Sequence, residues 1–125
     1  MKFKDKIIWI TGAASGIGEA LAYQSVEYGG KLILSDIDQS GLSEVVATCE
    51  SSGASVLNLP LDLSSGESIE KAVLLAMEHF GRVDVLINNG GISQRSLTWE
   101  TPLEVDYKIM NINFFGAVIL TKAVL

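Results

Sequence analysis

The sequence predicts an α/β fold, a doubly wound parallel sheet with helices on both faces. Three observations carry that prediction. Apolar runs alternate with helical patterns along the chain. The runs are continuous in Ile, Leu and Val instead of alternating with polar residues, as strands covered on both faces require. A glycine-rich turn follows the first run, where a strand passes into a helix.

Strands are expected over residues 6–11, 31–35, 55–59 and 83–88, with helices near 15–28, 40–52 and 65–80. Strand–helix repetition at this spacing implies right-handed crossovers between parallel neighbours. Gly29-Gly30, Gly53 and Gly81 fall just past the helix ends and supply the expected stop signals. A polar loop over 92–100 follows the fourth strand. Then Thr101-Pro102-Leu103-Glu104 reads as a capping box, with Thr as cap, Pro in the first helical position and Glu in the third. The helix it opens should run through Tyr107, Met110, Asn113 and Phe114. No repeat, low-complexity tract or linker interrupts the chain, so residues 1–125 are expected to form a single domain.

At 125 residues, one domain is the most the length allows, and 48% hydrophobic residues are enough for a core. The net charge of −6, with no Lys/Arg cluster, argues against a nucleic-acid surface. Cys49 is the only cysteine, which excludes an intrachain disulfide and a thiolate metal cluster, and no metal site is expected. His79, the only histidine, falls near a helix end, where a cation suits the dipole. The start, Met1-Lys2-Phe3-Lys4-Asp5-Lys6, has no apolar signal core, and no run reaches membrane-spanning length. A cytoplasmic protein without a membrane partner is the expectation.

The turn Thr11-Gly12-Ala13-Ala14-Ser15-Gly16-Ile17-Gly18 carries the most chemistry. Gly12 lets the chain leave the strand tightly. Gly16 removes a Cβ where a pyrophosphate would approach, and Gly18 lets the helix pack closely on the sheet. The helix then aims its free N–H groups at the anion. By itself the turn could be an ordinary tight connection. Asp36 adds to it, a carboxylate ending the next strand about 20 residues later, where ribose recognition places one. Such a carboxylate accepts from both hydroxyls of an adenosine ribose and repels a 2′-phosphate. The positions where a cation would offset that repulsion hold Ser15 and Ile37, both uncharged. NAD is therefore expected over NADP.

The spacing Thr-Gly-x-x-x-Gly-x-Gly differs from the common dinucleotide fingerprint. Together with Asp62-Leu63, Asn88-Asn89-Gly90-Gly91 and Asn113 ahead of Phe114-Phe115-Gly116, it resembles the short-chain dehydrogenase/reductase family along the whole chain. The resemblance implies a Rossmann-type fold and gives cofactor-binding roles to Gly12, Ser15, Gly16, Ile17, Gly18 and Asp36. It places Asp62 and the Leu63 backbone against the adenine ring, although the residues alone allow Asp62 to be a helix-cap neighbour of Ser64 and Ser65. Asn89 and Gly90 would border the cofactor ribose; the family usually has Ala where Gly90 stands. The continuation through residue 96 is similar to the retinal-type members. Asn113 matches the family's catalytic set, where it holds a water that links the catalytic Lys to solvent. On the residue alone, an amide satisfying local backbone groups is an equal reading, and Asn111 is the weaker candidate.

In that family, hydride transfer needs a Tyr, a Lys four residues later and a Ser on the preceding strand. Here Tyr23, Tyr28 and Tyr107 are followed four residues on by Glu27, Leu32 and Asn111. The resemblance thus implies an incomplete dinucleotide-binding domain, truncated after the fifth helix. It would be the cofactor half of an oxidoreductase acting on a small-molecule alcohol or carbonyl, inactive as it stands. The alternatives are a stand-alone dinucleotide-binding pseudoenzyme and an interaction module. Ser93 and Gln94 could border a substrate. The family's strand order leaves the fourth strand as an apolar edge and the final helix short of packing partners. Marginal stability or self-association, and a homo-oligomer in the intact protein, are expected.

Overall fold

Strand β1 (Ile7–Thr11) is buried at every position. Its neighbour β2 (Lys31–Ser35) is buried except at Lys31. The structure, a computed structural model, describes residues 3–93 and 96–125. β3 (Val56–Asn58) and β4 (Val85–Ile87) complete a parallel sheet of order β3-β2-β1-β4. The register pairs Thr11 with Ser35 and Ile10 with Ile87. Gly12, Asp36 and Asn89 therefore leave the sheet side by side at its carboxyl end.

Successive strand residues face opposite ways, and each face has its own core. Ile8, Ile10, Leu32 and Leu34 pack with Leu42, Val45 and Val46. Those last three lie on α2 (Gln39–Ser51), which shares this layer with α1 (Gly16–Glu27). On the other face Ile7, Trp9 and Ile33 pack with Ile69, Ala72 and Ala76 of α3 (Gly66–Phe80) and with Leu120. Trp9 is fully buried, and its indole N–H donates to Ser35 Oγ at 2.9 Å, so a large ring enters the core without an orphaned donor. Helices on both faces make the sheet doubly wound, as expected. β3 and β4 are shorter than their apolar runs and only half-buried, because each has a single strand neighbour.

Gly29, Gly53 and Gly81 follow the first three helices with positive φ, which fits the stop signals. His79 lies in the last turn of α3, its ring edge-on to Phe80. The capping box does not form. A short 3₁₀ turn (Thr98–Glu100) precedes α4 (Leu103–Met110), and Pro102 stands in the cap position with ψ at 141°. The Thr101 hydroxyl turns back to the Leu97 carbonyl at 3.1 Å and lies against Ser96 Oγ. The Leu97 carbonyl, which closes the 3₁₀ turn by accepting from Glu100 and Thr101 N–H, also captures the hydroxyl that would have capped the helix. The continuous final helix is also interrupted. Residues Asn111–Gly116 form a π segment between α4 and α5 (Ala117–Val124). Gly116 explains how this stretch sits down, because a Cβ there would lie 2.5 Å from the Leu63 carbonyl oxygen.

Among the described residues, no helix is long and apolar enough to cross a membrane, and no cluster of three His, Cys, Asp or Glu is placed to hold a metal.

Candidate functional site

The glycine turn is rigid where its geometry is unusual. Gly12 has φ at +65°, and a Cβ on it would sit 2.9 Å from the Asn89 side-chain nitrogen and carbonyl oxygen. A side chain at Gly12 would therefore be strained twice, by backbone conformation and by contact. Gly16 also has positive φ, but the space beside it is open. Gly18 is the point where α1 presses on the turn itself, against the Gly12 carbonyl and the Asn89 amide. Sequence reasoning had placed that close contact on the sheet.

Ser15 is the extended residue before α1, with φ at −160°, and its side chain makes no capping bond. The other two helices that follow strands in this part are capped. Asp38 accepts from Gly41 N–H on α2, and Ser65 accepts from Ser68 N–H on α3. The first N–H groups of α1 are left to whatever meets the turn, which is the arrangement that receives an anion. Ile17, at the mouth, is 72% exposed.

Asp36 joins this turn to the end of β2. One carboxylate oxygen accepts from Ala14 N–H at 3.0 Å, and the other accepts from Asp38 N–H at 3.0 Å. An ionised carboxylate has about four acceptor sites, so capacity for two ribose hydroxyls remains. Asp62 is similarly held. Its carboxylate accepts from the Ser64 hydroxyl at 2.6 Å and from Ser64 N–H at 2.9 Å. The Ser64 hydroxyl, then the Ser64 backbone, keep the Asp62 carboxyl below the usual carboxylate range, with the positive charge of Lys108 adding to them. Asp62 therefore does the local turn work next to the α3 cap and also faces open space.

That space is a cleft of about 230 Å³ at the carboxyl end of the sheet, with Gly12, Asp36, Asp62, Leu63, Gly90 and Lys108 in its walls. It is smaller than the roughly 300–1,000 Å³ of whole-ligand pockets, a size for part of a dinucleotide. Leu63 fills the place that the methyl of an Ala at position 90 would take: a Cβ on Gly90 would stand 2.6 Å from Leu63 Cδ1. Asn89 sits behind Gly12, donating from its side chain to the Gly12 carbonyl at 3.2 Å.

Asn113 does not line the cleft itself but sits against Gly91 and Ile92, which do. It lies in the π segment and clamps Ile92 from both sides, accepting from Ile92 N–H at 2.8 Å and donating to the Ile92 carbonyl at 2.7 Å. This is the local backbone role, on an exposed loop and not in a core. Asn111 makes no such clamp among the described contacts. Ser93 has no described partner, and Gln94 lies outside the described residues.

Sequence reasoning missed Thr11. Its buried hydroxyl accepts from Asn89 N–H at 3.0 Å and from Gly90 N–H at 2.8 Å, tying the loop after β4 to the end of β1. A hydroxyl ending a wholly apolar strand was the signal available. Lys108 was missed as well, and no local pattern marks it.

The short chain dehydrogenase family profile matches residues 6–125. The chain belongs to that family. The human dehydrogenase/reductase SDR family member 7 is 46% identical over 125 residues, covering 97% of this chain and 37% of the relative. A CLA biosynthesis dehydrogenase/reductase of Lactiplantibacillus plantarum is 41% identical, covering 98% and 43%. Among solved structures, a short-chain dehydrogenase/reductase from Burkholderia phymatum in complex with NAD superposes with a TM-score of 0.93 at 32% identity, covering 98% of this chain and 44% of that one. A 3-ketoacyl-(acyl-carrier-protein) reductase from Brucella melitensis, complexed with NADH, gives 0.89 at 29% identity, covering 98% and 49%. The chain thus spans less than half the length of these short-chain dehydrogenases. Its four-strand parallel sheet with flanking helices is the Rossmann-type arrangement they share.

Proposed function

We propose that this chain is the dinucleotide-binding part of a short-chain dehydrogenase/reductase, with NAD preferred over NADP, and that its residues 1–125 form one cofactor-binding domain. When bound, the nicotinamide supplies the hydride chemistry for an alcohol or carbonyl substrate. The observation that carries the reading is the Asp36 carboxylate, bonded to Ala14 of the glycine turn and facing the same cleft as Gly12 and Asp62. Gly12, Ser15, Gly16, Ile17 and Gly18 would receive the pyrophosphate at the uncapped start of α1. Asp36 would accept the ribose hydroxyls, and its charge, with no cation at Ser15 or Ile37, disfavours a 2′-phosphate. Asp62 and Leu63 would meet the adenine, and Asn89 and Gly90 the far ribose. Ile92 uses one acceptor and one donor site of the Asn113 amide, so a relay water there would take the second of either.

These 125 residues hold no Tyr followed four residues on by Lys. A second reading is a dinucleotide-binding protein without turnover, and we propose that residues 1–125 by themselves are inactive. A cytoplasmic location and self-association belong to the proposal. The half-exposed Phe114 and Phe115 support the second of these.

Fluorescence titration with NADH and NADPH tests the reading. The chain should bind NADH more tightly. Asp36→Asn should weaken NADH by about 10-fold or more, since hydrogen bonds to a charged group contribute roughly 1.5–3 kcal/mol, and should narrow the gap to NADPH. Failure of the unaltered chain to bind either dinucleotide would overturn the proposal.

A further inference from the structure

We infer that Lys108 is a further cofactor-binding residue, supplying the positive charge that draws an anionic adenosine ligand into a cleft lined by carboxylates. The inference rests on the dinucleotide reading and goes one residue beyond it. Lys108 comes from α4, lies in the cleft wall beside Asp62 and Ile112, and is the only cation among the described residues that line it. The other charged residues there, Asp36 and Asp62, are both acidic. A diphosphate ligand brings still more negative charge, and the chain as a whole carries −6. Backbone N–H groups at the glycine turn answer the phosphates but leave the two carboxylates unbalanced. A single ammonium lining the same cleft offsets them through a Coulomb interaction that salt screens.

The two ion pairs among the described residues leave Lys108 out. Lys71 pairs with Glu67 at 3.3 Å, and Arg82 pairs with Asp84 at 3.0 Å. Lys108 acts on Asp62 through space without bonding to it, so its ammonium keeps three donors for a ligand. The competing explanation is a solvated lysine in the last turn of α4, where the helix dipole favours a cation. That explanation predicts no dependence of ligand binding on the charge.

The test measures affinity for ADP-ribose, which carries the adenosine and both phosphates without nicotinamide. It compares the unaltered chain with Lys108→Met, Lys108→Arg and Lys108→Glu at low and high salt. Lys108→Met should weaken ADP-ribose by about 2–5-fold, the range of a solvent-accessible charge contact, and Lys108→Glu should weaken it further. Lys108→Arg should bind as the unaltered chain does, and the Met difference should shrink as salt rises. Equal affinity in all variants would overturn the inference while leaving the dinucleotide reading intact. A loss that salt does not alter and Arg does not rescue would also overturn it, marking a packing role. If the unaltered chain fails to bind ADP-ribose, the underlying reading falls and takes this inference with it.

Discussion

The two ends of the chain treat their apolar residues differently. In the region through β4, the strands and the inner faces of α1 to α3 close two cores, and the central strands are buried almost end to end. Of the apolar residues exposed there, Ile37 lines the cleft and Ile17 stands on the glycine turn, while Leu74 and Leu75 lie on the outer side of α3. Beyond Gly91 the pattern reverses. Trp99 is 81% exposed, Leu103 and Tyr107 are largely exposed, and α4 buries no residue at all. This second region is held at a few points: Leu120 in the core on the α3 face, Gly116 against Leu63, Asn88 Nδ2 donating to Thr121 Oγ1 at 3.0 Å, and the Asn113 clamp. The first region is fixed by burial and the second by discrete contacts, and the cleft lies where the two meet.

The sharpest way to break that comparison is to remove one large ring from each region. Trp9→Ala should cost about 3–5 kcal/mol, enough to unfold a marginal domain, because it opens a cavity in a fully enclosed site and strips Ser35 of its donor. Phe114→Ala removes a ring that is half in solvent and should cost no more than about 1 kcal/mol. Urea denaturation of both variants reads the difference. Equal losses would mean that the second region is as tightly packed as the first.

The same division governs what could be read from the residues alone. β2 was expected at residues 31–35 and lies there, since an apolar run bounded by glycine on one side and Asp36 on the other leaves little freedom. The glycine stops and the parallel order followed from patterns within a few residues of each element. The second region was misjudged where distant or competing partners decide the outcome. Thr101 lost its capping role to a carbonyl four residues earlier, and the π segment follows no local propensity. In the site, Gly12, Asp36 and Asp62 were legible because their chemistry is tied to strand ends. The Thr11 clasp bridges positions about 78 residues apart in sequence, and Lys108 reaches the cleft only through the path of α4, so neither left a local trace.

Each region also has one side chain that closes a loop with two hydrogen bonds to its backbone, which allows a finer test. Thr11 does so while buried, and Asn113 does so while exposed. Thr11→Val keeps the shape but leaves the Gly90 N–H without its described acceptor, while the Asn89 N–H keeps the Ile87 carbonyl at 3.1 Å. The expected loss is about 2 kcal/mol, with faster hydrogen exchange chiefly at Gly90. Asn113→Ala releases Ile92 to water, which replaces the lost partners, so the loss should be about 1 kcal/mol or less. Exchange at Ile92 should quicken without change at Gly90. If Asn113→Ala cost more than Thr11→Val, burial would not be what separates the regions.

The smallest expected effect is acid sensitivity, and it distinguishes the two ends of the sheet. At the amino end, Asp84 accepts from Ile7 N–H at 2.8 Å and pairs with Arg82, and the Ile7 bond is the main reason its carboxyl lies below the usual range. At the carboxyl end, Ser64 does the same for Asp62. A carboxyl whose folded pKa is depressed binds fewer protons folded than unfolded. Its stabilisation is therefore complete above the ordinary value of about 3.9 and is lost as pH falls through the lower folded value. Melting temperature should hold from neutral pH to about 4 and decline below it. Asp84→Asn should lower the plateau slightly and flatten the acid decline, because Ile7 would keep an acceptor but the proton-linked part would be gone. Asp62→Asn should flatten it too, and it alone should also change ADP-ribose binding at neutral pH, since of the two only Asp62 faces the cleft. An acid decline equally steep in the Asp84→Asn variant would show that ionisation of Asp84 does not carry the acid sensitivity. Ligand binding changed as much by Asp84→Asn as by Asp62→Asn would show that the two ends of the sheet are not independent.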